Sequence, residues 1–112
     1  KRQVVDKGDN PLNFIDPSGT AMFVYSIQRG VELGLLKAKE YTPVAYRGYQ
    51  SLFPFIQVND RGLLDVIGAC DGVVIKKNFV EYVTVPKILN AKEAVAGVLW
   101  AAVIMETEQL KK

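Results

Sequence analysis

The sequence predicts a mainly α-helical chain: three helices in a two-layer array, with short β segments between the second and third. Three observations predict it. Two stretches, Ala21 to Tyr25 with Ile27, and Ala94 to Met105, would be apolar on every side of a helix. A third, Val44 to Ile56, keeps its apolar residues on one side. Between Asn59 and Val85 the chain turns to β-branched runs broken by glycine. A helix that is apolar all round belongs inside something. Two such helices with a single amphipathic partner are underprotected, so inner helices covered by outer ones are expected, with part of the cover missing or supplied by another chain.

Residues 1–17 are polar and broken by Gly8, Pro11 and Pro17, which reads as a loop or lead-in arm with Leu12, Phe14 and Ile15 free to dock. The first helix is expected from Pro17-Ser18 to Leu36, with Asp16 or Ser18 as its cap and Pro17 at an early position. Gln28, Arg29 and Glu32 should face water, and Gly30 and Gly34, four apart, should admit another backbone. The second helix should open at Thr42-Pro43, as a cap followed by a first-turn proline, and should end or kink at Pro54. Leu63 to Ile67 and Gly72 to Ile75 read as a small hairpin or paired extended segments, and Phe79 to Val85 as an extended segment closed by Pro86. The last helix opens at Asn90, a candidate N-cap, and from Ala94 to Met105 runs through four alanines and a glycine before Glu106 restores polarity.

Composition narrows the chemistry. The 112 residues suffice for one domain, read here as a single partial one, with 49% hydrophobic and 23% charged residues. Net charge is +2, and the basic pairs are too few and scattered for a nucleic-acid footprint. The absence of histidine removes imidazole metal sites and Ser-His or Cys-His nucleophiles from this chain. No metal or other cofactor is expected. Cys70, the one cysteine, reads as a small half-buried apolar residue. The longest apolar run, 12 residues, is short of the ~20 that span a bilayer. Neither apolar helix has a basic face, so no membrane partner is expected. The start at Lys1 reads as a cut-down or processed piece, and the compartment is left open between the cytoplasm and periplasm of a bacterium.

Three blocks then carry a resemblance. Asp16-Pro-Ser-Gly-Thr-Ala-Met-Phe-Val-Tyr25, followed by Arg29-Gly-Val-Glu-Leu-Gly-Leu-Leu36, resembles a segment of the unsaturated glucuronyl and rhamnogalacturonyl hydrolases of glycosyl hydrolase families 88 and 105. Tyr41-x-Pro-Val-Ala-x-Arg-Gly-Tyr49 is similar to the next segment of those enzymes, and Asn90 to Ala102 to their closing inner helix. The likeness runs over residues 9–106. It implies the C-terminal portion of an (α/α)6 barrel, six helical hairpins with inner helices ringed by outer ones. It also implies an activity. An aspartic acid protonates the C4–C5 double bond of an unsaturated uronic sugar, water adds at C5, and the hemiketal rearranges to release its neighbour. In the family that acid lies upstream of these blocks, as do the histidine and most aromatic residues that hold the sugar, so no catalytic residue maps here. Asp6, Asp9, Asp60 and Asp71 sit in turn-like sequence and are read as solvated.

The candidates for holding substrate are the polar helix starts: Ser18 and Thr20 on the first helix, Asn90, Lys92 and Glu93 on the last. Helix N-termini offer free N–H groups and positive potential to an anionic uronate, and Lys92 adds charge. The competing role of Ser18 and Asn90 is capping, with Glu93 as capping-box partner of Asn90. Where the family carries a second hydroxyl residue beside the serine, this chain has Pro17. Trp100, Tyr25 and Met22 are expected in the core, and Tyr46, Tyr49 and Tyr82 at the surface. The partner implied is an unsaturated oligosaccharide bound by the longer parent chain. The rival reading is a non-enzymatic helical interaction domain that self-associates, as a homo-oligomer, through its apolar helices.

Overall fold

The computed structural model describes residues 1–111. Its principal helices are α1 (Pro17–Glu32), α2 (Ala38–Gln50) and α4 (Lys92–Leu110), with a short α3 at Phe79–Val83. The chain forms a slab of 44 × 38 × 22 Å, about two helix diameters thick. α1 lies between the other two long helices and packs on both. Contacts between α1 and α4 climb in step along both helices. Ser18 and Ala21 face Gly97, Gln28 Nε2 reaches Glu108 Oε2 at 3.5 Å, and Glu32 meets Lys111 at 3.9 Å. The two apolar helices therefore run parallel with their N-termini at one end. α2 returns antiparallel over them, joined by Gly48 against Val24 and by Tyr49 Oη donating to Glu106 Oε1 at 2.7 Å.

The core is small-residue packing closed by a few large side chains. Ala21, Val24, Ala45, Leu52, Ala101, Ile104 and Met105 are buried together with Tyr49. Close approach is enforced by Gly48, where a Cβ would lie 2.7 Å from Val24, and by Gly97, where it would lie 3.3 Å from the Ala21 Cβ. Gly30 and Gly34, expected to admit a second backbone, do neither. Leu36 of the same turn folds onto Gly30, and Gly34 takes a left-handed φ of 75° that ends α1 four residues before the expected Leu36. Gln28, expected on water, is fully buried against α4.

Other boundaries shift for local reasons. α2 starts at Ala38 with no side-chain cap, so Thr42 is no cap and Pro43 lies inside the helix. Pro54 falls in a 3-10 turn, Phe53–Phe55, beyond the end of α2. The expected pairing of Leu63 to Ile67 with Gly72 to Ile75 does not form: β2 (Leu64–Val66) pairs instead with the segment before it, β1 (Ile56–Val58), antiparallel across the Asn59–Gly62 turn. Gly72 to Ile75 forms no strand. Phe79 to Val83, expected extended, is helical because Asn78 Oδ1 accepts from the Glu81 N–H while Glu81 Oε2 accepts from the Lys77 N–H.

The arm through residue 17 is held by Asn13 rather than by its apolar residues. Asn13 is 1% exposed and exchanges bonds with both Val4 N–H and C=O, while Leu12 and Ile15 stay open. The outward face of α4 is bare. Leu99, Trp100 and Val103 are each 60% exposed, and Met22 and Phe23 on α1 are open too. Trp100 and Met22 thus lie outside the core in this chain, with the Trp100 ring tilted on half-buried Tyr25 at 5.3 Å. Conversely Tyr49, expected at the surface, is buried.

Candidate functional site

Because α1 and α4 are parallel, their polar starts share one end of the slab, where a cavity of about 340 Å³ opens. Its floor is the first turn of α1, with Asp16, Ser18 and Gly19. The arm contributes Arg2 and Gln3, the loop after β2 contributes Cys70, Gly72 and Val73, and α3 and α4 contribute Tyr82 and Glu93. A larger groove of about 560 Å³ lies between the hairpin and α4, but Tyr49, Phe53, Ile56, Leu64, Val98 and Leu99 make it mainly apolar. Convergent polar groups single out the first.

Asp16 organises that floor. It is the N-cap of α1, and its Oδ1 accepts from the Ser18 N–H at 2.8 Å and the Ser18 Oγ–H at 2.5 Å. Its Oδ2 accepts from the Cys70 N–H at 3.2 Å and from Cys70 Sγ at 3.1 Å. Burial alone would raise the Asp16 pKa, but the bonds from Ser18 and Cys70 outweigh it and hold the carboxyl below its usual range. Burial, then the bond to Asp16, push the Cys70 thiol up to about 11, so it stays protonated as a donor. The pair is a carboxylate that accepts and a thiol that donates, which suits a fixed scaffold. Above it Tyr82 Oη accepts from the Lys76 N–H at 3.0 Å, leaving its own proton for the cavity. Arg2 donates one N–H to the Asn13 carbonyl at 2.7 Å and supplies positive charge at the rim.

The five expected residues divide. Ser18 and Glu93 meet at the cavity. Thr20 turns to the opposite side of α1, toward Val44 and Gly48 of α2, and accepts a hydrogen bond from the Lys1 amino group. Lys92 is exposed and does not line the cavity. Asn90 is not the cap of α4: that position is Ala91, and no side chain caps the helix. Asn90 instead takes a left-handed φ of 55°, accepts from the Val66 N–H at 2.7 Å and donates to Asp65 Oδ1 at 2.9 Å. With no cap at Asn90, Glu93 has no capping-box role. Arg2, Asp16, Cys70 and Tyr82 were missed as site residues. Only Asp16 carried a signal, as the acidic residue of the first motif. Among the described residues no cluster of three or more His, Cys, Asp or Glu side chains forms a metal site, and no helix is long and apolar enough to cross a membrane.

The model of Glycosyl Hydrolase Family 88 matches residues 2–109. The chain belongs to that family. Its fold is similar to a glycoside hydrolase of family 105 from C. acetobutylicum ATCC 824, with a TM-score of 0.86 and 27% identity. The match covers 95% of this chain but only 31% of that one. The α1–α2–α4 array is therefore part of an (α/α)6 barrel, and the chain spans about a third of the solved relative's length.

Proposed function

We propose that this segment is the C-terminal part of a hydrolase that hydrates and cleaves unsaturated uronyl oligosaccharides, either glucuronyl or galacturonyl-rhamnose, of the kind polysaccharide lyases release. Here the segment builds the rim that holds the sugar and leaves proton donation to an aspartic acid elsewhere in the barrel. The observation that carries this is the polar cavity at the shared N-terminal end of two parallel inner helices. It offers acceptors at Ser18 and Glu93, a hydroxyl donor at Tyr82 and a cation at Arg2. A carboxyl able to protonate a double bond must be held protonated by its surroundings. Asp16 is held the other way, as an ionised acceptor, and so is unsuited to that step.

The test is direct. The isolated chain is mixed with an unsaturated uronyl disaccharide, and the ultraviolet absorbance of the double bond is followed. No loss is expected from this chain, and loss is expected from the longest natural chain that contains it. Turnover by the isolated chain would place the acid within these residues.

The bare α4 face, with Leu99, Trp100 and Val103 each 60% exposed, favours a second reading, a self-associating interaction module. Light scattering separates the two. A discrete homodimer of the longest natural chain that buries Trp100 and shows no turnover would favour the module.

A further inference from the structure

The cavity floor has a polarity that follows from proton counting. A serine hydroxyl has one proton to donate and two lone pairs. Ser18 gives that proton to Asp16 Oδ1 at 2.5 Å, and the same oxygen also takes the Ser18 N–H at 2.8 Å, so the acceptor is fixed in place beside the hydroxyl. The arrangement does not reverse, because a reversal would need a protonated Asp16. That carboxylate is 7% exposed and already accepts from Cys70 N–H and Sγ on its other oxygen. Only lone pairs of Ser18 Oγ are then left to face the cavity.

We infer that Asp16 is a positioning residue: by taking the only proton of Ser18 it presents Oγ to the cavity as an obligatory acceptor, which selects a sugar hydroxyl over a carboxylate, sulfate or methyl ether. Asp16 puts negative charge on the floor itself, which disfavours an anion at Ser18, while the cations of the cavity, Lys1 and Arg2, stand on the arm. The expected partner of the α1 start thereby changes. An anionic uronate suits a bare helix N-terminus, but here the capping carboxylate already occupies that positive pole. Ser18 therefore meets a neutral hydroxyl of the oligosaccharide. This inference rests on the reading of the cavity as an oligosaccharide rim.

The test uses the longest natural chain containing the segment and has two arms. In the first, KM and kcat for an unsaturated uronyl disaccharide are measured for wild type, Ser18→Ala, Asp16→Ala, the double variant and Asp16→Asn. Loss of one ordinary hydrogen bond costs roughly tenfold in binding. Ser18→Ala and Asp16→Ala should each raise KM about tenfold with kcat nearly unchanged, and the double variant should be no worse than either. Asp16→Asn can keep an acceptor oxygen for Ser18 only by turning its NH2 on the Cys70 N–H, and its KM should fall between wild type and Asp16→Ala. A disaccharide O-methylated at the contacted hydroxyl should lose the same factor with wild type and nothing further with Ser18→Ala. Equal KM penalties for Asp16→Ala with and without Ser18 would show a merely structural role and overturn the inference, as would an unchanged KM in Ser18→Ala. If Asp16→Ala does not fold, Ser18→Ala and the O-methyl series decide.

In the second arm, proton NMR of the ligand-free protein should show a Ser18 hydroxyl proton in slow exchange, present in wild type and gone in Ser18→Ala. Its absence from wild type overturns the inference without reference to substrate. A protected proton in a protein that turns over no unsaturated sugar would overturn the functional reading while upholding the Asp16–Ser18 geometry.

Discussion

The two parallel helices begin in opposite ways. α1 starts on Asp16, whose carboxylate caps its own helix and also takes two donors from Cys70, 54 residues away. α4 starts on Ala91 with no side-chain cap, although Asn90, among the best capping residues, stands one position earlier. Each polar residue gives a side-chain oxygen to a backbone N–H. At α1 that N–H belongs to the helix. At α4 it belongs to Val66 of the hairpin, which Asn90 reaches only by adopting a left-handed backbone. A capping residue at a helix start thus marks a need for an acceptor, without saying whose need it is.

The comparison predicts unequal losses, read by urea unfolding. Asp16→Ala is the largest. It removes the cap and strands the buried Cys70 N–H, and should cost about 3 kcal/mol. A loss under about 1 kcal/mol would mean that water replaces the carboxylate without strain. Asn90→Ala comes next, at about 2 kcal/mol, since it loses the Val66 and Asp65 bonds and forces an alanine to a positive φ. Asn90→Gly keeps the backbone easy and should cost roughly half as much. Equal costs for the two would assign the whole effect to the side-chain bonds.

The third prediction concerns acid. Asp16 has its pKa lowered in the fold, so its carboxylate contributes stability that is fully present above the unfolded value, about 3.9. That contribution fades as pH falls from there through the lower folded value. Wild type should therefore lose stability below about pH 4 more steeply than Asp16→Asn, which has no proton to take up there. Parallel acid curves for the two proteins would show that Asp16 is not the group held ionised.

The same contrast shows what was legible in the sequence. Apolar content found α1 and α4, and amphipathic spacing found α2, because helix burial depends on composition over many residues. Ends were harder. Leu35 and Leu36 continue the apolar pattern past Gly34, yet Gly34 stops the helix through its φ. Pro43 is suited to a first turn, so the start at Ala38 was hidden behind it. Asn78-Phe-Val-Glu81 spelled a capping box that β-branched neighbours obscured. Ser18 and Glu93, expected at helix starts, line one cavity because α1 and α4 run parallel and share an end. Arg2, Cys70 and Tyr82 arrive from the arm, the loop after β2 and α3, and no local pattern ties them to Ser18. Long-range meetings of single residues leave no periodic trace.

The smallest expected effect tests why α4 was left uncapped. Ala91 is 1% exposed and packs with Val66, Ala69 and Ala94, so its position serves the junction with the hairpin. Ala91→Ser would supply an oxygen to the N–H of Glu93 or Ala94, a gain of about 1 kcal/mol at an open helix start. It would also bury a hydroxyl whose proton finds no acceptor in that apolar cluster, a cost of about 1 kcal/mol or more. The two nearly cancel, and the variant should unfold within about 0.5 kcal/mol of wild type. A gain of a full kcal/mol would show that the site tolerates a cap and that packing does not explain its absence. A loss larger than that of Asn90→Gly would show that the alanine contact, more than the Asn90 bonds, joins α4 to the hairpin.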